Sequence, residues 1–424
     1  LEEYKEAELS FYSMFDYYEF GTNQIGSKDK RISYYYYLNN LINFVEKYDL
    51  KSVFFTHVPH TLIEVLVATF FKKNNLKIIL TRGLPIPGLF KFENTIKNID
   101  KSDQDIIEDK DGSEKVINEF IDKYAKKFDI IEDQNNWVNY DLIKLFNLLH
   151  KTPSLPYFLF NIFFIIRFFL RLILISVKIV IIWVKDKVYK TFNLSKYVSL
   201  RTIFSSKKNY IHHNLLNKFT LEKIFFFGHL AKNKNLLIYK KLTKKIDLKE
   251  NFFYFPLWFQ PSSTTYPFAE RYIDYELSLN ILSQNLPDNF KIYVKESPDI
   301  FNISNHAWFK GNFVRNKKFY DDISKIPKVS LIDFNNKDYE LIDHSKAVVS
   351  VSDKYSIISI IRNKPHISFV DTVSSKIKSS FYCDNEIKIQ EIINKIINSD
   401  IKIENDEKKD FFNWLKKVSF YRSI

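Results

Sequence analysis

The sequence predicts an α/β fold in two halves, each built from short buried strands alternating with helices. Three observations lead there. Apolar runs of strand length, such as Ser52 to Thr56 and Phe252 to Phe255, are each followed by a longer stretch with helical spacing. At 424 residues the chain is long enough for two domains of ordinary size, each with its own core. Polar residues cluster just after the strands, at the carboxyl ends where open α/β sheets bind ligands.

In the first half, Ser52 to Thr56 reads as a buried strand, Thr61 to Lys73 as a helix begun after Pro59, and Leu76 to Thr81 as a second strand. Lys51 to Arg82 is therefore a βαβ unit. Thr56-His57-Val58-Pro59-His60 occupies the carboxyl end of the first strand. His60 is a candidate base there, and Glu64, one helical turn on, is placed to orient it or to act in its stead. A histidine in such a turn also serves as a cap or simply meets solvent. Ser102 to Glu132 carries both signs of charge and reads as an exposed helix or lid. Its Asp103-Gln104-Asp105 and Asp109-Lys110-Asp111 share the spacing of a divalent-metal site, but the polar flanks indicate a solvated face, and no metal is implied.

The net charge of +13 is unevenly distributed. Residues 160 to 250 hold nineteen Lys or Arg against four Asp or Glu, a local +15, so the rest of the chain sums to −2. That segment opens with Phe160 to Val184, in which twenty of twenty-five residues are apolar. Arg167, Arg171, Lys178 and the following Lys185 fall, at helical spacing, within about 40° of one another. Three readings compete for this helix. As a transmembrane span, its apolar residues gain roughly 0.3 to 0.6 kcal/mol each while each cation costs up to roughly 3, which is close to balance. One-faced clustering favours a helix lying in the membrane interface, where each cation near an anionic surface contributes about 1 kcal/mol. The third reading is a long helix buried between domains or in a dimer. Nucleic acid is not an expected partner, because the segment lacks zinc-finger spacing, an Arg-rich run and an aromatic ribonucleoprotein motif.

The second half begins with a strand at Lys223 to Phe227. Phe252 to Phe255 is the next, ended by Pro256 and followed by Gln260, Ser262, Ser263, Thr264 and Thr265, which supply uncharged donors and acceptors. Phe268 to Leu286 reads as a helix, Pro287-Asp288 as a turn, and Phe290 to Val294 as a strand with Lys295-Glu296 at its carboxyl end. Strand signals recur at Val329 to Ile332, Ala347 to Val351 and His366 to Val370. Helices over Glu386 to Ile397 and Glu407 to Val418 close the chain.

Several classes are excluded. Cys383 is the only cysteine, so neither a disulfide framework nor a cysteine-based zinc site is possible within one chain, which suits a reducing compartment. Neither a Gly-x-x-x-x-Gly-Lys phosphate loop nor a Gly-x-Gly-x-x-Gly fingerprint is present. The chain opens at Leu1 and its one methionine is Met14, so a preceding piece, with a first strand, is expected.

Phe255-Pro256-Leu257-Trp258-Phe259-Gln260-Pro261-Ser262-Ser263-Thr264-Thr265, then Tyr293-Val294-Lys295-Glu296-Ser297-Pro298, resemble two motifs of bacterial capsular and surface-polysaccharide biosynthesis proteins with the GT-B glycosyltransferase fold. The family pattern runs Phe-Pro-Leu-(His)-(Phe/Tyr)-Gln-Pro-Glu-x-Thr-Thr and Tyr-Val-Lys-Glu-His-Pro. This chain has Trp258, Ser262 and Ser297 at departing positions. A third family motif, Thr-Gly-Thr-x-Gly-Trp-Glu-Ala followed by a helix ending Gly-Lys-Pro, corresponds to Ser352-Asp353-Lys354-Tyr355-Ser356-Ile357-Ile358-Ser359 and Asn363-Lys364-Pro365. Both glycines and the glutamate are replaced. Aspartate beside a diphosphate is repulsive and isoleucine accepts nothing, so donor binding is altered, weakened or lost.

The resemblance covers roughly residues 222 to 370 and implies two Rossmann-like domains facing across a cleft, with an amphipathic helical segment between them. Residues 1–150 form the acceptor domain, 151–220 the basic membrane-associating segment, 221–410 the nucleotide-sugar domain, and 411–424 a helix that docks back. The activity implied is metal-independent transfer of a sugar from a nucleotide-sugar donor to a growing capsular or other surface polysaccharide, at the cytoplasmic face of the inner membrane and without a cofactor. Lys295 would offset phosphate charge, while Gln260, Pro261, Thr264, Thr265, Glu296, Ser352 and Ser356 complete the donor site. The family often shows Pro-His at the position of His60, which adds to its reading as base. The competing reading is a catalytically degenerate scaffold that acts as a partner in polysaccharide assembly. A nucleotide-sugar epimerase or polyol-phosphate transferase shares the fold and is a third class.

Overall fold

The computed structural model describes residues 27–59, 62–93, 110–126, 234–258, 269–301 and 315–421 except 352, 384, 400 and 402, with Glu8 and positions 166, 169, 170, 173, 174 and 177. The helices are α1 Ser27–Lys47, α2 Leu62–Lys73, α3 Lys110–Ala125, α4 Tyr275–Asn285, α5 Lys317–Lys325, α6 Asp338–His344, α7 Asp353–Ile361, α8 Glu386–Asn398 and α9 Asn405–Val418. The strands are β1 Ser52–Phe55, β2 Lys77–Gly83, β3 Leu89–Glu93, β4 Phe252–Pro256, β5 Lys291–Lys295, β6 Val329–Ile332, β7 Ala347–Ser350, β8 His366–Ser368, β9 Ser380–Tyr382 and β10 Phe420–Tyr421. A further helical segment covers 234–242.

Strands β4 to β9 form one parallel sheet in the order β6-β5-β4-β7-β8-β9. Counted from β4 this is 3-2-1-4-5-6, the order of the doubly wound Rossmann sheet. Its central strands β4 and β7 are buried at every position because both faces are covered. Alternation along β4 sends Phe253 and Phe255 to one face, against Tyr275, Leu279 and Leu282 of α4, Tyr320 and Ile323 of α5, and Ile389 and Ile393 of α8. Phe252 and Tyr254 go to the other, against Leu341 and Ile342 of α6, Ile357, Ile358, Ile360 and Ile361 of α7, and Phe411, Trp414 and Leu415 of α9.

Helix boundaries follow local chemistry. The expected helix from Phe268 is divided: a 3-10 turn over Glu270–Ile273 precedes α4, and Asp274 caps α4 by accepting from the N–H groups of Glu276 and Leu277. Asn363 ends α7 with a positive φ of 56°, a conformation asparagine tolerates, before Lys364-Pro365. Lys408 of α9 then reaches back to the carbonyl of Ile361 at 2.7 Å, satisfying a group at that helix end, and burial lowers its pKa.

The smaller sheet has the order β1-β2-β3-β10. The βαβ unit is observed, with Ser52 opposite Lys77 in a parallel pair. β3 and β10 then run antiparallel to their neighbours, so the described part of this sheet is mixed rather than purely parallel. β10 comes from the end of the chain, and Phe420 stacks on Phe92 at 4.7 Å.

The charged segment from Ser102 to Glu132 needs a correction. Its helix, α3, is not an exposed lid. Ile117, Phe120 and Tyr124 recur at helical spacing and are buried with α7 and α9 in the core of the large sheet. Arg362 donates to the carbonyls of Tyr124 at 2.8 Å and Lys126 at 3.0 Å while also engaging the carboxylate of Asp343. Lys416 meets Glu114 at 2.9 Å and holds its carboxyl below the usual range. This core is thus shared between residues of 1–150 and of 221–410. The strand expected at Lys223 to Phe227 lies outside the described residues.

On the face beneath α7, His366 is fully buried, its Nε2 2.9 Å from Ser350 Oγ and its Nδ1 3.5 Å from Ser380 Oγ. The chain of hydroxyls continues from Ser380 to Ser374 at 2.8 Å and to Thr372 at 2.6 Å. Burial disfavours the imidazolium and lowers the pKa of His366 to about 3.

Two outcomes follow from this packing. Leu415→Ala should cost about 2 to 5 kcal/mol, as for other buried leucines, and should raise amide exchange in α3 as well as in α9; urea unfolding and hydrogen exchange measure both. His366 is neutral in the folded chain and protonated in the unfolded chain between pH 6.5 and about 3, so acidification through that window should cost wild type roughly 1.4 kcal/mol per pH unit more than His366→Gln. Urea midpoints of the two proteins across pH 3.5 to 7 give the difference.

Candidate ligand site at the strand ends

Sequential connections leave β4 toward β5 on one side and return to β7 on the other, so the order reverses between β4 and β7. The carboxyl ends of these two strands flank the crevice where doubly wound sheets take their ligands. Pro256 ends β4 without an N–H, and Leu257 then donates to the carbonyl of Lys295 at 2.8 Å, keeping the chain on the sheet edge for one more residue. Trp258 follows, half-buried, packed against the cores on both faces and therefore capping the sheet between them. Its ring meets Tyr355 edge to face at 6.2 Å, and the ammonium of Lys354 lies 5.9 Å from its centroid. Lys354 and Tyr355 belong to the first turn of α7, so the contact spans the crevice from the β4 end to the β7 end.

The backbone of Trp258 is fixed by an inner set of groups. Its carbonyl accepts from Tyr275 Oη at 3.1 Å and from Arg315 Nη2 at 3.2 Å. Arg315 is itself buried, with its guanidinium carbon 4.8 Å from the ring of Tyr275 and 4.4 Å from that of Phe319. Its Nε donates to Glu296 Oε2 at 3.0 Å, and its carbonyl accepts from Asn235 Nδ2 at 2.6 Å. Glu296 takes further bonds from Tyr320 Oη at 2.9 Å and from the Ser297 N–H at 2.9 Å. Burial pushes the Glu296 carboxyl above its usual range, against the opposing pull of Arg315, Tyr320 and the Ser297 N–H. The Ser297 hydroxyl, buried at the end of β5, has no hydrogen-bond partner among the described residues.

Lys295 is 3% exposed, on the opposite face from Val294. Its ammonium lies 2.9 Å from Asp338 Oδ1 and donates to the carbonyl of Asn336 at 2.7 Å. The same carboxylate oxygen accepts from Tyr254 and, at 3.5 Å, from Tyr355. Burial, reinforced by Asp338, raises the Tyr254 pKa far above its ordinary value.

These positions correct part of the sequence reading. Lys295 and Glu296 stand at the expected strand end, but their charges are matched inside the fold, because β5 is a central strand with both faces covered. Ser356, within α7, is fully buried. Glu64 bonds to His57, with Oε1 2.9 Å from Nε2, and Thr56 Oγ1 lies 3.2 Å from the other ring nitrogen. Spacing of one helical turn points in sequence to His60 as the partner of Glu64 and carries no signal for a contact seven positions apart, which is how His57 is reached. His60, Gln260, Pro261, Thr264, Thr265 and Ser352 lie outside the described residues. So do Arg167, Arg171, Lys178 and Lys185.

Removing one member of the central pair tests its role. Arg315→Met should destabilise the fold by about 3 to 5 kcal/mol, since it leaves Glu296 uncompensated in the core. Combining it with Glu296→Gln should recover a large part of that loss in a double-mutant cycle read by urea unfolding.

No family model and no curated protein matches this chain.

Proposed function

We propose that the chain is a GT-B-type glycosyltransferase that moves a sugar from a nucleotide-sugar donor to a growing capsular or other surface polysaccharide. The observation that carries this reading is the crevice between β4 and β7. The segment resembling the family's first motif leaves β4 there, and the turn resembling its third enters α7. In this reading the large sheet holds the nucleotide and the small sheet faces it across a cleft. The base that takes the acceptor hydroxyl proton comes from the turn after β1. His57, bonded to Glu64 and beside Thr56, is suited to that task, with His60 three positions on in sequence. No metal or cofactor enters the mechanism; donor phosphate is met by side chains of the crevice and by backbone N–H groups.

Association with the cytoplasmic face of the inner membrane belongs to the same proposal. Among the described residues no helix is long and apolar enough to cross a membrane. Ile166, Phe169, Leu170, Ile173, Leu174 and Val177 are helical, share one face by their spacing and are all about half exposed. An apolar stripe of this kind on a basic segment supports a helix lying in the interface.

A second reading has a specific observation behind it. Lys295 and Glu296, the charged pair of the second motif, are consumed by Asp338 and Arg315. A scaffold that kept the fold while losing donor chemistry would look this way, and would serve as a partner in polysaccharide assembly. Incubation with UDP-, GDP- and CMP-sugars and a detergent-solubilised glycan acceptor, followed by mass spectrometry, separates the classes. Added sugar mass on the acceptor is the expected result. Donor epimerisation without transfer identifies an isomerase, and nucleotide binding without any product identifies the scaffold.

A further inference from the structure

The small sheet is apolar on both of its faces. Register sets Phe54 beside Ile79, Thr81 beside Phe92, Gly83 beside Phe90 and Phe90 beside Phe420, so these residues share one face. Phe55, Ile78, Leu80 and Leu89 share the other, which packs against α1 and α2 at β1 and β2 and against α3 and α9 at β3. A sheet face turned to water alternates with polar residues. The first face instead carries Phe54, Ile79, Phe90, Phe92 and Phe420, and its one charged residue among those described, Lys77, stands at the margin where β2 begins. Phe54 is 55% exposed and Phe92 38%. None of the five belongs to a buried core or packs against one; Phe90 and Phe92 meet only the ring of Phe420, at 6.0 and 4.7 Å, among the described aromatic residues. A contiguous apolar surface of this kind marks a contact face.

We propose that this face is the docking site for a segment of the same chain, the helix that carries Ile166, Leu170, Ile173, Leu174 and Val177. These five residues are helical, share one face by their spacing and are each about half exposed. Helices α1 to α9 all contribute residues to a buried core, so this is the described helix whose apolar face has still to be covered. In α/β proteins helices cover both faces of a sheet, and here the sheet has its helices on one face only among the described residues. The dimensions agree. From Ile166 to Val177 a helix rises about 17 Å, and four neighbouring strands span about 14 Å between their outermost axes. The 40 residues between Ala125 and Ile166 extend to roughly 130 Å, so the connection sets no limit. Two copies meeting face to face would bury the sheet but leave the helix stripe in water, whereas docking within one chain buries both. A lipid surface suits the face poorly, because Lys77 is its one described cation. The stripe is also the one assigned above to the membrane interface, so the docked form is that of the protein without membrane, and lipid competes with the sheet for the helix. The docking stands apart from the glycosyltransferase reading; only the competition rests on the membrane reading.

Two measurements on the full chain without membrane test this. Hydroxyl-radical footprinting of wild type gives the oxidation rates of Phe54 and Phe92 relative to the urea-unfolded chain. Disulfide trapping in a Cys383→Ser background then identifies the occupant. Phe92→Cys with Ile173→Cys is the test pair, and Tyr36→Cys on the exposed side of α1 with Ile173→Cys is the control, both checked for folding by circular dichroism and resolved on non-reducing gels. Strong protection of Phe54 and Phe92 is expected, with the test pair closing within one chain and the control pair staying open. Oxidation of Phe54 and Phe92 at the rates of half-exposed side chains overturns the proposal with no variant involved. Disulfides formed only between chains assign the face to a second copy, and protection without any disulfide assigns it to another segment; either result overturns the helix as occupant, as does equal closure of the two pairs. Repeating the trapping with phosphatidylserine vesicles separates the two readings of the stripe. Loss of the test disulfide on vesicles supports the competition, while its persistence keeps the docking and overturns the interfacial helix.

Discussion

The buried pair of Glu296 and Arg315 is the constraint on which the site depends. Desolvating a carboxylate and a guanidinium costs several kcal/mol each, and the cost is offset only when every lone pair and donor is matched. Here the matching groups come from four places: Tyr320 from α5, the Ser297 N–H from the β5 end, the Trp258 carbonyl from the β4 end, and the ring of Tyr275 from α4. Tyr239 extends the set, since its oxygen accepts from the Glu296 N–H at 2.9 Å while its hydroxyl donates to the Ile332 carbonyl. Each of these groups therefore fixes the others, and the ends of β4, β5 and β6 are held in one arrangement.

A second buried pair serves the other face. Lys295 and Asp338 join the β5 end to the first turn of α6, with Tyr254 and Tyr355 completing the shell. The alternation of a strand explains how one dipeptide serves both layers: Lys295 and Glu296 point to opposite sides of the sheet. Trp258 lies above both pairs, which is why its ring belongs to neither core alone. The edge is thus stiff underneath, and a rigid floor of this kind lowers the ordering cost of any binding above it.

The union of the two halves has a similar logic. α9 and β10 close the chain by contributing to both sheets: Phe411, Trp414 and Leu415 fill the core under α7, and Phe420 pairs with β3. α3 fills the same core from the other direction. Motion between the halves therefore has to disturb either a shared apolar core or a sheet ladder.

Much of the large sheet was legible in the sequence because its signals are local. Val329 to Ile332 is a strand by its own apolar run, α7 ends at Asn363 because Pro365 cannot continue it, and Lys51 to Arg82 is a βαβ unit by length and periodicity alone. The concentration of positive charge between residues 160 and 250 is likewise a property of composition. Other features depended on which segments the crossovers bring together. α3 looked like a solvated helix because its charges outnumber its apolar stripe, and only the neighbouring α7 and α9 reveal what the stripe is for. Two-residue β10 has no sequence signal and exists because β3 offers an edge. Lys295 reads as a ligand-facing cation in sequence, yet Asp338, forty-three positions away, takes its charge. Periodicity along one chain dictates which residues are strand, helix or core. The partner of a polar side chain is decided by strand order and register, and those are properties of the folded sheet.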